Sequence, residues 1–173
     1  MNSPRETEVP PNSRIAGFLV GSDFHDAWSV ESSDVNRSAL EHFMSAVERT
    51  PRWVSRCMNV RNRAVALVGL KHLGDLAALP TDKAASACLP GERVGIFTLF
   101  ENTFDETLLG DNDKHLNVVL SIHRRLLSES SRVVVTVTTV VHVHNALGRL
   151  YMLPVKPMHR LIAPAVLAAI GNA

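Results

Sequence analysis

The chain has 173 residues but only two cysteines, Cys57 and Cys88, too few for a disulfide framework. Stability must therefore come from a buried core, and a chain of this length can form one. So few thiols point to a reducing, cytoplasmic setting. No window approaches the ~20 consecutive apolar residues that a bilayer-crossing helix needs, so the expectation is a soluble protein without a membrane partner. Neither sign of charge is in excess: 18 Lys plus Arg face 17 Asp plus Glu, which leaves no field to gather nucleic acid. G-x-S-x-G, P-loop and G-x-G-x-x-G patterns are all missing, so nucleophile-elbow, phosphate-cradle and dinucleotide chemistry find no support and no cofactor is expected.

What is present is a long β-branched run, VVVTVTTVVHV (133–143), feeding an amphipathic C-terminal segment, ALGRLYMLPVKPMHRLIAPAVLAAI (146–170). Upstream, MNSPRETEVPPNSR is polar and Pro-rich with no apolar run behind a basic start, which predicts a flexible arm over residues 1–20 and a single domain over 21–173. FHDAWSV (24–30) has strand composition, and SSDVNRS (32–38) turn chemistry. Ser38 and Glu41 fit a capping box ahead of Leu40, Phe43, Met44 and Val47, a helix that Thr50-Pro51 ends. Pro51 suits the first turn of a second helix, whose stripe of Trp53, Val54, Cys57, Met58, Ala64, Val65 and Val68 is centred on Arg61. Residues 70–92 read as a long loop. The period then changes to two over 93–101, 106–110, 115–125 and 132–144, which predicts an antiparallel meander.

Alternation assigns faces. Leu116, Val118, Leu120 and Ile122 share one side of their strand, and His115, Asn117, Ser121 and His123 the other. Odd positions from Val133 to Val143 make the apolar side of the last strand, with Thr139 its polar member, while His142 and His144 point away. Those two histidines with His115 or His123 have the geometry for zinc, but no spacing motif and no Cys ligand accompany them, so no metal is expected. Glu106 alternates in phase with Phe104 and Leu108 and should face inward. Arg61 and Glu106 thus predict an ion pair between the second helix and the sheet, either a structural bridge or a polar anchor in an apolar cavity. Asp113 is spaced to orient His115 for general-base work, although both fall at a solvated corner. On the last segment Leu147, Leu150, Tyr151, Pro154, Met158, Leu161, Ile162, Ala165 and Ala169 form one helical stripe, which Pro154, Pro157 and Pro164 should kink or interrupt. His159 sits at the border of that stripe, and Arg149, Lys156 and Arg160 lie opposite it.

The order strand, helix, helix, antiparallel strands, long C-terminal helix resembles the helix-grip order of the START-like (SRPBCC) superfamily, which includes birch-pollen-allergen-like proteins and polyketide cyclases. The stretches DFHDAW (23–28), PRWVSRCMNVRNRAVALVGL (51–70), ETLLGDNDKHLN (106–117) and VTVTTVVHVHNALGRLYMLPVKPMHR (135–160) resemble a bacterial family, domain of unknown function 2867. That family's recurrent polar positions fall on Asp26, Arg61, Asn62, Glu106, Asp113, His115, Arg149, Tyr151, His159 and Arg160. The resemblance implies an α+β fold in which a curved antiparallel sheet, with two short helices after its first strand, wraps a long C-terminal helix.

From this follows an expected function: binding of a small, mainly apolar molecule between sheet and helix. Trp53, Arg61, Glu106, Tyr151 and His159 are the first candidates for contact, followed by Asp113, His115 and Thr139. The alternative is an enzyme of the cyclase, hydrolase or dehydratase kind that uses an inward Glu or His for proton transfer. A third is a homodimerising interaction module that uses the Thr/His face of the last strand.

Overall fold

The computed structural model describes residues 3–67, 79, 83–128 and 131–171, with the side chains of 64–67 outside that description. The period-two stretches pair into one curved antiparallel sheet of seven strands. In chain order these are β1 (Arg5–Glu6), β2 (Phe24–Ser32), β3 (Arg93–Val94), β4 (Phe97–Asn102), β5 (Glu106–Asn112), β6 (Leu116–Leu127) and β7 (Arg132–Val143). Across the sheet the order is β1-β2-β7-β6-β5-β4-β3, so the last strand returns beside β2 at the centre. β6 and β7 pair continuously from Leu116 with Val143 to Leu127 with Arg132, as expected of long β-branched strands.

Among the described residues three α-helices accompany the sheet: α1 (Ala39–Glu48), α2 (Arg52–Leu67) and α3 (Ala146–Gly171). The capping box that opens α1 is complete: the Glu41 N–H donates to Ser38 Oγ at 3.3 Å and the Ser38 N–H to Glu41 Oε2 at 2.7 Å. None of the helices among the described residues is long and apolar enough to cross a membrane. Of the expected 70–92 loop, residues 70–78 and 80–82 lie outside the described residues, as do Val68 and Gly69. The rest contains a short 3₁₀ turn, Ala85–Ala87.

α3 runs as one helix of 26 residues through Pro154, Pro157 and Pro164 rather than being interrupted by them. Each proline removes the N–H that would bond the carbonyl four residues back. Those carbonyls belong to Leu150, Leu153 and Arg160, all exposed, so water can donate to them in place of the lost N–H groups. The helix also sits in a different rotation from the expected stripe. Leu150, Leu153 and Leu161 are 61%, 69% and 60% exposed, whereas Gly148, Met152, Leu167 and Ile170 are buried. The close approach at Gly148 sets this rotation: a Cβ there would lie 2.4 Å from the His115 carbonyl oxygen, so this position must face the sheet. His159, eleven residues on, turns inward with it, as three turns of helix separate the two positions.

The sheet is buried on both faces. On one face Val30, Leu109, Leu120, Ile122, Val133 and Val135 pack with Leu40 and Phe43 of α1 and with Leu167 and Ile170 of α3. A second cluster, Leu116, Val141 and Met152 with Phe24, Val118 and Tyr151, lies under the first half of α3. On the opposite face Leu108, Val119 and Val140 are covered by Ile15 from a 3₁₀ turn, Arg14–Phe18. The segment expected to be a flexible arm is therefore folded onto the sheet. Its apolar residues are few, but Ile15 is 0% exposed, and the segment adds an edge strand through β1. The side of β7 expected to be outward is covered as well: Thr138 is 0% exposed, and His142 Nε2 donates to the Phe18 carbonyl at 2.8 Å.

Candidate functional site

Pairing of β2 with β7 sets Asp26 opposite Thr139, both on the side facing α3. Alternation along FHDAWSV explains it: Phe24, Asp26, Trp28 and Val30 share one face. The inward rotation of α3 brings His159 onto this pair. Its Nδ1 lies 2.9 Å from Asp26 Oδ2, which also accepts the Trp28 indole N–H at 3.1 Å. A carboxylate accepts, so Nδ1 carries a proton toward Asp26, and Nε2 lies 3.4 Å from the Thr139 hydroxyl. The Phe24 ring stands edge-on to His159 at 5.8 Å between centroids. Asp26 is 6% exposed and Thr139 5%, while the His159 side chain is 26% exposed, so the row opens to solvent at the imidazole. Among the described residues Asp26 Oδ1 has no hydrogen-bond partner.

Of the residues expected to form the site, only His159 and Thr139 meet here. Arg61 and Tyr151 make a separate pair: Arg61 Nε donates to the Tyr151 hydroxyl at 2.9 Å, and the guanidinium carbon stands 5.3 Å from the ring centroid. Arg61 also donates to Asn62 Oδ1 at 2.8 Å. Trp53, at the start of α2, is 41% exposed.

The expected Arg61 to Glu106 ion pair is absent: the two residues bond to different partners. Glu106 shares its face with Leu108, as alternation predicts, but that face is the one covered by the 3₁₀ turn. Its Oε1 accepts the Ser13 hydroxyl and the Ser121 hydroxyl (2.7 Å), and the Arg14 backbone N–H reaches both oxygens, at 3.1 and 3.0 Å. Asp113 does not orient the His115 ring either. Its Oδ1 accepts the backbone N–H groups of His115 (2.6 Å) and Leu116 (2.9 Å), shaping the corner before β6, while His115 Nδ1 lies 3.2 Å from Asn145 Oδ1. His115 is buried at 8% exposure rather than solvated, because the start of α3 covers it.

His42, on α1, was not legible as special. It is 2% exposed, and burial lowers its pKa from 6.5 to about 4, against Asp34, which raises it, and with Arg124 and Arg37, which lower it further. Two shallow depressions, about 370 and 320 Å³, are lined by described residues. One lies between β1 and β2, at Thr7, Val9, His25 and Asp26, and the other beside α1, at Arg37, Glu41 and Met44. Neither lies under α3.

Asp26 is among the family's recurrent polar positions but not among the contacts expected above, although its alternation also marks it. An acid alternating in phase with Phe24, Trp28 and Val30 is as conspicuous as Glu106 beside Leu108.

The fold and site together define an α+β protein whose curved antiparallel sheet carries a C-terminal helix, an arrangement consistent with a helix grip, with a polar row at the contact between them. The family model described as "Protein of unknown function (DUF2867)" matches residues 18–166, and the chain belongs to that family. No curated protein and no solved structure matches it.

Proposed function

We propose that this protein binds a small molecule with a mainly apolar body against the α3-facing side of the sheet, where the Asp26, His159 and Thr139 row meets its polar end. The observation that carries this is a buried carboxylate holding a partly exposed imidazole on a face otherwise built from Phe24, Val141 and Met152. A few convergent polar groups on an apolar wall are how small-molecule sites fix orientation. The strand order, with β2 beside β7 and the C-terminal helix laid on both, supports a START-like placement, in which the ligand lies between sheet and helix. Tyr151, on the same helix roughly 12 Å along its axis from His159, would form a second polar station with Arg61 of α2. Glu106, Asp113 and His115 hold the fold in this reading and do not touch the ligand.

Native mass spectrometry of the protein purified from its own host tests this. The expected result is a retained small molecule that is lost from the His159→Ala variant. A clean apo mass for the wild type would count against tight binding.

The order carboxylate, imidazole, hydroxyl favours a second reading, in which His159 transfers a proton to or from the bound molecule, as in a cyclase, hydrolase or dehydratase. Incubating the retained molecule with fresh protein separates the two: a carrier returns it unchanged, and an enzyme returns a product.

A further inference from the structure

Resting on that binding reading, we infer that the polar end of the ligand is a hydrogen-bond donor, a hydroxyl or an ammonium, which reaches Asp26 Oδ1, and that a carboxylate-ended molecule is discriminated against. The two oxygens of Asp26 are served unequally. Oδ2 takes both available protein donors, Trp28 Nε1 and His159 Nδ1, and among the described residues Oδ1 takes none. The side chain is only 4% exposed, so bulk water does not solvate that oxygen. A buried anionic oxygen with no donor is costly, and any donor that reaches it recovers that cost.

The other buried polar atoms that lack a partner do not carry the same demand. Thr138 Oγ1, His42 Nε2 and His115 Nε2 belong to neutral groups, or to groups that can be neutral, the guanidinium of Arg124 has its other two nitrogens bonded to Asp105 and to the Val35 carbonyl, and Arg132 Nε stands 3.4 Å from Glu31 Oε2 in an ion pair. Asp26 Oδ1 is the one carboxylate oxygen among them.

The surroundings also argue against an anionic head. Both ring nitrogens of His159 are engaged, with Asp26 and Thr139. Lys156 donates to the Asp23 carbonyl at 3.2 Å and lies 5.8 Å from the Phe24 ring centroid, and Arg61 is committed to Tyr151. A ligand carboxylate would set a second negative charge against Asp26.

Three probes with the same eight-carbon body test this on the full chain: octylammonium, 1-octanol and octanoate, each below its micellar concentration, followed by calorimetry. Octylammonium and 1-octanol are expected to bind about tenfold or more tighter than octanoate, the ratio one charge-assisted hydrogen bond supplies. The Asp26→Asn variant is expected to bring all three within about threefold of each other. The wild-type order alone decides the matter if that variant does not fold. Equal binding of the three heads, meaning that water serves Oδ1, or tighter binding of octanoate, would overturn the inference and leave the binding reading intact. If the wild type binds none of the three, both fall.

Discussion

Asp26 and Glu106 are buried to the same degree, 6% exposed each, on opposite faces of one sheet. They differ in how their oxygens are served. Glu106 has donors on both, from Ser13, Ser121 and the Arg14 backbone, and joins the Arg14–Phe18 turn to β5 and β6. Asp26 has two donors crowded on one oxygen and none, among the described residues, on the other. Burial alone therefore does not separate a structural acid from a functional one. The two acids differ in completeness of hydrogen bonding: the saturated carboxylate of Glu106 is a staple, and the unevenly served one of Asp26 has accepting capacity left.

The largest effect should come from breaking the saturated side. Glu106→Ala strands the Ser13 and Ser121 hydroxyls and the Arg14 N–H, and should cost about 3 to 4 kcal/mol in urea unfolding. A cost under about 1 kcal/mol would remove the staple. Next is the seat of α3 on the Asp26 face. Gly148→Ala drives a methyl group against the His115 carbonyl and Val143, at 2.4 and 2.9 Å, and should cost about 2 to 3 kcal/mol despite the better helix propensity of alanine. Loss of the His159 contact with Asp26, seen as a change in the His159 ring resonances, would show that the same seat positions the row.

A smaller effect is acid sensitivity on the α1 side of that face. The folded-state pKa of His42 is about 4 against 6.5 unfolded, so between these values the unfolded chain binds more protons and stability rises with pH. Acidification to pH 5 should remove roughly 2 kcal/mol in the wild type. His42→Gln should flatten that slope, and an unchanged slope would assign it to other groups. The smallest effect on stability is expected at Asp26→Asn, less than about 1 kcal/mol, because the substitution removes a charge that is only half served. A cost as large as that of Glu106→Ala would dissolve the contrast between the two acids.

Strands and helices were legible because their signals are local. Period two with β-branched residues marks β6 and β7, and Ser38 with Glu41 marks the start of α1. Which face each side chain meets was less legible. Val119 and Val140 are as apolar as Leu120 and Val141, so alternation separates two sides without saying which one holds α3. Alternation puts Glu106 beside Leu108 but for that reason does not identify its partner, which is Ser13 and Ser121 rather than Arg61. The rotation of α3 depends on one backbone approach at Gly148, which a hydrophobic count does not register, so Leu150 and Leu161 were placed inside and His159 at the margin. The Ser13 contact was invisible in a Pro-rich, polar stretch, since its value comes entirely from an acid far along the chain.

That separation shapes how the chain is assembled during synthesis. Ser13 leaves the ribosome 93 residues ahead of Glu106 and 108 ahead of Ser121, the two side chains to which its hydroxyl is joined. The turn that carries Ser13 has no carboxylate to close upon until β5 has emerged and paired, so an early segment is among the last to settle, and the closing of that staple marks a sheet that is already built.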